Sequence, residues 1–161
     1  MNNSSFKGVE QHTRAFLESL QQNPGPPLYT LSPAEARAVL SGLQASVPVK
    51  LLPASIEKRT VRGGPDNTEI TVQIVRPPDS SNETLPVVMY CHGGGWVLGG
   101  FDTHERLVRE LANKVRAAFV FVNYTPSPEA KYPVSLEQAY AATEWVAQNG
   151  QTINVDSSRL A

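Results

Sequence analysis

Hydrophobic and polar positions along this chain change period twice, and the changes divide it. Over residues 6–20 the apolar residues Val9, Phe16, Leu17 and Leu20 recur at a loose helical spacing. Asn23-Pro24-Gly25-Pro26-Pro27 breaks that pattern. A second helix starts at Ser32-Pro33-Ala34-Glu35, with Ser32 as cap, Pro33 at the first helical position and Glu35 completing a capping box. It runs to about Ala45, and Pro48 and Pro53 close the region. From Ile56 the period becomes two. Residues 56–62 are polar and β-prone, residues 63–67 (Gly-Gly-Pro-Asp-Asn) form a turn cluster, and Ile70, Val72 and Ile74 alternate on one face of 69–76. These features predict a hairpin at a sheet edge.

The second change is to continuous apolar runs separated by amphipathic helices. Pro86-Val87-Val88-Met89-Tyr90-Cys91-His92 and Ala118-Phe119-Val120-Phe121-Val122-Asn123 read as strands covered on both faces. Between them, residues 103–116 predict a helix whose inner face carries Leu107, Val108, Leu111, Ala112 and Val115, with Asp102 as cap and Glu105 three residues on. Residues 135–148 predict another, burying Leu136, Ala139, Tyr140, Thr143, Val146 and Ala147, with Ser135 and Gln138 as its capping box and Gly150 ending it. Strand, helix, strand, helix at this spacing predicts βαβ crossovers of one hand in a largely parallel sheet, an α/β fold. Cys91 falls in an apolar run and is expected to be an inert core residue.

Composition narrows the functional classes without choosing one. The 161 residues are 40% hydrophobic and 18% charged, with a formal net charge of -1. That describes an ordinary globular domain with no basic stripe for nucleic acid and no polybasic cluster for a membrane surface. No apolar run reaches the roughly 18 residues needed to span a bilayer, and residues 1–7 lack a signal-peptide core. One cysteine permits no internal disulfide. The expected location is cytoplasmic.

Chemistry concentrates in His92-Gly93-Gly94-Gly95-Trp96, between a buried strand and a helix. Adjacent glycines there allow positive φ and let a ligand approach the main chain, whose N–H groups can serve a phosphate or a developing oxyanion. The phosphate readings fail on sequence. Gly-x-Gly-x-x-Gly needs a glycine where Leu98 stands, and no Gly-Lys-Ser/Thr is present. A His-Gly-Gly-Gly loop at this place is an oxyanion element of lipases and esterases. The competing reading is a glycine turn that serves packing alone.

The run Tyr90-Cys91-His92-Gly93-Gly94-Gly95-Trp96-Val97-Leu98-Gly99-Gly100-Phe101-Asp102-Thr103-His104 resembles the hormone-sensitive-lipase group of the α/β-hydrolase family. So does Asn123-Tyr124-Thr125-Pro126-Ser127-Pro128-Glu129-Ala130-Lys131-Tyr132-Pro133, which is similar to that group's Tyr-Arg-Leu-Ala-Pro-Glu segment, with Ala139-Tyr140 and Trp145-Val146 in the helix that follows. The resemblance covers about Leu85 onward. It implies the N-terminal portion of an α/β-hydrolase sheet over residues 54–161, stopping before the nucleophile elbow, with residues 1–53 as a helical cap region. It implies a carboxylic-ester hydrolase acting by acyl transfer on a small-molecule ester, without metal or cofactor. Gly94 and Gly95 would donate N–H groups to the oxyanion, His92 and Gly93 would shape the loop, and Trp96 would line the substrate pocket. The chain departs from the group where Thr125 and Pro126 replace Arg-Leu, so a charge contact usual in the group is expected to be lost or replaced.

The triad is missing from this stretch. No Gly-x-Ser-x-Gly occurs; Ser157 and Ser158 lack flanking glycines and are expected in a turn. His12 and His104 are not placed as bases, and His104 matches a family position without a proton-transfer role. The chain is thus expected to stop just short of its serine, as a truncated product, a partial gene model or one half of a split gene, and to be inactive alone. The outer edge of the strand at Val87 to Cys91 would then be bare and sticky, calling for a C-terminal half or a second copy as partner. Two other readings stay open: a non-catalytic ligand-binding relative on the same fold, as the plant gibberellin receptor is, or a non-functional fragment.

Overall fold

Residues 6–22, 24–64 and 67–161 are described by the computed structural model; Asn23, Pro65 and Asp66 of the predicted breaks lie outside them. The chain divides into two compact units, one ending at Ser32 and the other Pro33–Ala161. In the first, helix α1 spans Gln11–Gln22 and a 3-10 turn spans Leu28–Thr30. α1 begins later than the apolar spacing predicted because Glu10 caps it, its carboxylate accepting the Thr13 N–H at 3.0 Å. No residue of α1 is buried.

In the second unit, α2 spans Pro33–Ser46, with Pro33 at the expected first position. The strands are β1 (Ser55–Gly63), β2 (Thr68–Arg76), β3 (Leu85–Tyr90), β4 (Ala118–Asn123) and β5 (Val155–Leu160); the helices between them are α3 (Phe101–Val115) and α4 (Val134–Asn149). The sheet order is β1-β2-β4-β3-β5. β1 and β2 form the predicted edge hairpin, β2 runs antiparallel to β4, and β4, β3 and β5 are parallel. The chain steps from β3 to β4 on one side and then returns past β3 to β5 on the other. Crossovers of one hand in opposite directions place their helices on opposite faces.

The core follows that division. Ile70, Val72, Ile74, Val87, Val120 and Val122 pack in one cluster with Ala141, Ala142 and Val146 of α4. Val75, Phe119 and Phe121 pack on the other face with Val108 and Ala112 of α3. The helix faces differ from those predicted. Leu107, Val115, Leu136 and Tyr140 are exposed, and α4 buries Ser135, Gln138 and small alanines instead. Small residues let α4 lie close to the sheet: a Cβ added at Gly63 would sit 3.0 Å from the Ala141 Cβ.

Helix ends also differ. Gly100, not Asp102, precedes α3, and its N–H donates to Thr103 Oγ1 at 3.0 Å. Asp102 instead accepts from Ser41 Oγ at 2.6 Å, and Glu105 pairs with Arg109. α4 does end at Asn149 with Gly150 as its C-cap, but Gly150 stays right-handed (φ -52°) and the chain runs on through a 3-10 turn, Gly150–Ile153, to left-handed Asn154. Two further expectations are corrected at the sheet's far edge. β3 is not bare: Met89 N–H donates to Ala161 O at 2.8 Å and Ala161 N–H to Val87 O at 3.0 Å. Ser157 and Ser158 lie within β5, in an irregularity where Asp156 pairs with Pro86 and Leu160 with Val87. The Asp156 carboxylate takes the Ser158 N–H at 3.0 Å, a local bond that buckles the strand. Arg76 ties the other strand ends together, donating to the carbonyls of Ile153, Asn154, Ser80 and Glu83.

Candidate functional site

Strand progression reverses about β3, and ligand crevices in open α/β sheets form at the carboxyl ends of strands at such a reversal. The loop that leaves β3 there is the glycine loop. His92 is buried beneath it, its ring stacked between Phe121 (5.3 Å between centroids, 1° between planes) and Tyr124 (4.4 Å, 8°). Burial pushes the His92 pKa down, so the ring is neutral near neutral pH. Its Nδ1 lies 2.8 Å from the Gly93 carbonyl, which can only accept, so Nδ1 carries the proton. Tyr124 OH donates to the His92 carbonyl at 2.6 Å.

Two carbonyls of the loop are thereby committed. Gly93 O takes the His92 ring proton, and Gly94 O takes the N–H groups of Val97 at 3.2 Å and Leu98 at 2.9 Å. In a planar trans peptide the N–H of the next residue points opposite to the carbonyl. With Gly93 O turned to the buried ring, Gly94 N–H faces away from it; with Gly94 O turned into the tight turn, Gly95 N–H faces out of the turn. Neither N–H donates to another group among the described residues, and Gly93, Gly94 and Gly95 are exposed. The backbone demands glycine at Gly94, where φ is 131° and an added Cβ would fall 2.0 Å from the Leu98 carbonyl oxygen. Gly95 has φ 63° with open space around it.

Trp96 sits at φ 63°, half-exposed, its ring tilted against Tyr124. With Gly95, Val97, Ser127, Tyr132 and Leu136 it lines a cleft of about 320 Å3. Cys91, expected in the core, is exposed, because β3 ends one residue earlier at Tyr90. Protein atoms packed around its thiol nevertheless raise its pKa. His104 bonds locally, with Nδ1 2.9 Å from Thr103 Oγ1 and 3.1 Å from Gly100 O. Ser157 Oγ donates to Val146 O at 2.9 Å. His104 thus bonds within its own helix start and Ser157 to the backbone of α4, and the two form no nucleophile–base pair with each other.

A second loop, after β4, meets the first. Ser127 N–H donates to Trp96 O at 2.8 Å. Ser135 and Gln138, predicted to cap α4, hold this loop instead. Ser135 Oγ donates to Thr125 O at 2.6 Å, and Gln138 takes the Thr125 N–H at 2.7 Å while its amide nitrogen donates to Thr125 Oγ1 at 3.1 Å. Sequence reasoning also missed Arg37 of α2. Its guanidinium reaches Val97 O at 2.7 Å, Ser127 O at 2.8 Å and both oxygens of Glu129 at 2.7 and 2.8 Å. The hydrogen-bonded Arg37 guanidinium holds the Glu129 carboxyl down at about 2. Thr125 carries no charge, so the charge partner of Glu129 comes from another helix. The available signal was a lone arginine in the otherwise small and apolar run Ala36-Arg37-Ala38-Val39-Leu40.

Known proteins resemble this arrangement. Residues 88–161 match the model of a family described as alpha/beta hydrolase fold. Carboxylesterase NlhH of Mycobacterium tuberculosis is 43% identical over 119 residues, 73% of this chain and 37% of that protein. A thermostable esterase from Pseudomonas putida superposes with a TM-score of 0.91 at 54% identity, covering 95% of this chain and 47% of its own. A fungal esterase from Rhizomucor miehei gives 0.81 at 33%, covering 91% and 46%. The chain spans less than half the length of each of these relatives.

Proposed function

The chain belongs to the hormone-sensitive-lipase-like group of the α/β-hydrolase family, and from that premise we propose that its glycine loop is the oxyanion hole of a carboxylic-ester hydrolase. The observation that carries the proposal is the pair of committed carbonyls, which turns the N–H groups of Gly94 and Gly95 away from the loop's own bonds. When a nucleophile adds to an ester carbonyl, the π electrons move to the oxygen, and donors already aimed at it need no reorganisation. Each such donor is worth roughly 3–4 kcal/mol to the transition state.

The remaining roles follow from position. His92, neutral, buried and donating to backbone, shapes the loop and is not a base. Trp96 and the adjoining cleft of about 320 Å3 take one arm of a small ester, of short or medium length. Within the second unit, α2 contributes to a helical cap beside the glycine loop through Arg37, Ser41 and Gln44. The 161 residues carry none of the triad, so turnover requires the nucleophile, acid and base of a C-terminal half, in the same chain or a partner.

The test is hydrolysis of p-nitrophenyl acetate by the 161-residue chain and by the same chain joined to, or co-expressed with, the C-terminal half of a matching esterase. Turnover by the completed enzyme alone is expected. Turnover by the short chain that depends on Ser157 or Ser158 would overturn the assignment of roles. A completed enzyme that binds an ester analogue without cleaving it would make this a binding protein on the same fold.

A further inference from the structure

We infer that Arg37 is a positioning residue that locks the glycine loop and the Ser127–Glu129 loop into one unit, an inference that rests on the oxyanion reading for its catalytic consequence. The geometry is that of a planar fork. Nε donates to the Val97 carbonyl, one terminal nitrogen reaches both the Ser127 carbonyl and a Glu129 oxygen, and the other reaches the second Glu129 oxygen. Two separate loops and one carboxylate are thus satisfied by a single rigid group, which lysine cannot reproduce with its one nitrogen.

The position of Val97 gives the contact its leverage. Val97 N–H closes the turn on Gly94 O, and Trp96 O receives Ser127 N–H. Fixing the Val97 carbonyl from outside therefore fixes the peptide planes on which the Gly94 turn closes. The same helix adds two further bonds one and two turns on, Ser41 to Asp102 and Gln44 Nε2 to the Thr103 carbonyl at 2.7 Å. Arg37, Ser41 and Gln44 form an i, i+4, i+7 polar stripe laid along residues 97–103. α2 buries only Ala36, so this stripe, rather than an apolar face, is its main attachment to the loop.

The test has two arms. In the 161-residue chain, amide hydrogen exchange over residues 92–100 and 124–130 is compared among wild type, Arg37→Lys, Arg37→Gln and Glu129→Gln. Exchange in both loops should rise at least tenfold in Arg37→Gln and nearly as much in Arg37→Lys. In Glu129→Gln, where the carbonyl contacts survive, it should rise less. In the completed enzyme, kcat per titrated active site for p-nitrophenyl acetate should fall on the order of tenfold in both Arg37 variants, with KM within about threefold. Exchange unchanged within twofold, or full rescue by lysine, would overturn the inference. Loosened loops with unchanged kcat per site would confine Arg37 to stability. A completed wild type without turnover would sink the esterase reading while the exchange arm still decides the clamp.

Discussion

Two loops leave the carboxyl ends of neighbouring parallel strands, and they are built on opposite backbone chemistry. The loop after β3 is made of glycines and closes mainly on itself, its carbonyls drawn inward to the His92 ring and the Val97 and Leu98 N–H groups and the Gly94 and Gly95 N–H groups left outward, with Arg37 anchoring it from outside through the Val97 carbonyl. The loop after β4 contains Pro126, Pro128 and Pro133, which have no N–H to offer, and side chains from α4 and α2 hold it. One loop is shaped to present backbone donors; the other is a wall against which it rests, joined to it at Trp96 O. The difference teaches that the glycines are demanded by particular torsions and approaches, whereas the second loop is demanded by its partners.

That contrast can be broken at either loop. The largest effect should come from Gly94→Ala, because its Cβ would meet backbone that cannot swing aside. Urea unfolding should show a loss of about 2 kcal/mol or more, the range of a strained backbone position. Gly95→Ala, with open space and only a left-handed φ to tolerate, should cost about 1 kcal/mol. Equal costs would mean the turn is not closed on Leu98 as described. Next is Gln138→Leu, which removes both side-chain bonds to Thr125 and strands a part-buried N–H; about 1–3 kcal/mol should be lost. No loss would show that the second loop holds itself.

The smallest effect is electrostatic. Glu129 is held at about 2 by Arg37, against an ordinary 4.5. A depressed carboxylate pKa contributes stability that is complete above about 4.5 and disappears as pH falls towards 2. The stability difference between wild type and Glu129→Gln should therefore close over that window. Because Glu129 is half-exposed, added salt should shrink it at neutral pH. A difference that grows on acidification would contradict the pairing.

What was legible in the sequence was what periodicity and glycine report. The hairpin, β3, β4 and the helix between them follow from alternation and continuous apolar runs, and β4 spans the residues its pattern marked. Helix faces were misjudged because large apolar residues were counted, whereas Ala141 and Ala142 bury best where α4 approaches Gly63. Caps were misjudged because Asp102, Ser135 and Gln138 carry capping side chains that are used elsewhere, on Ser41 and Thr125. Arg37 was missed because its partners lie 60, 90 and 92 residues away, beyond any local pattern.

The central claim is that the Gly95 N–H meets the developing negative charge. Replacing Gly95 by glycolic acid in the completed enzyme removes that N–H and adds no Cβ. The measurement is kcat for p-nitrophenyl acetate per titrated site. A fall of about 10²-fold or more with little change in KM is expected for the loss of one oxyanion donor. A kcat unchanged by the substitution would move the oxyanion hole elsewhere and leave the glycines as packing residues.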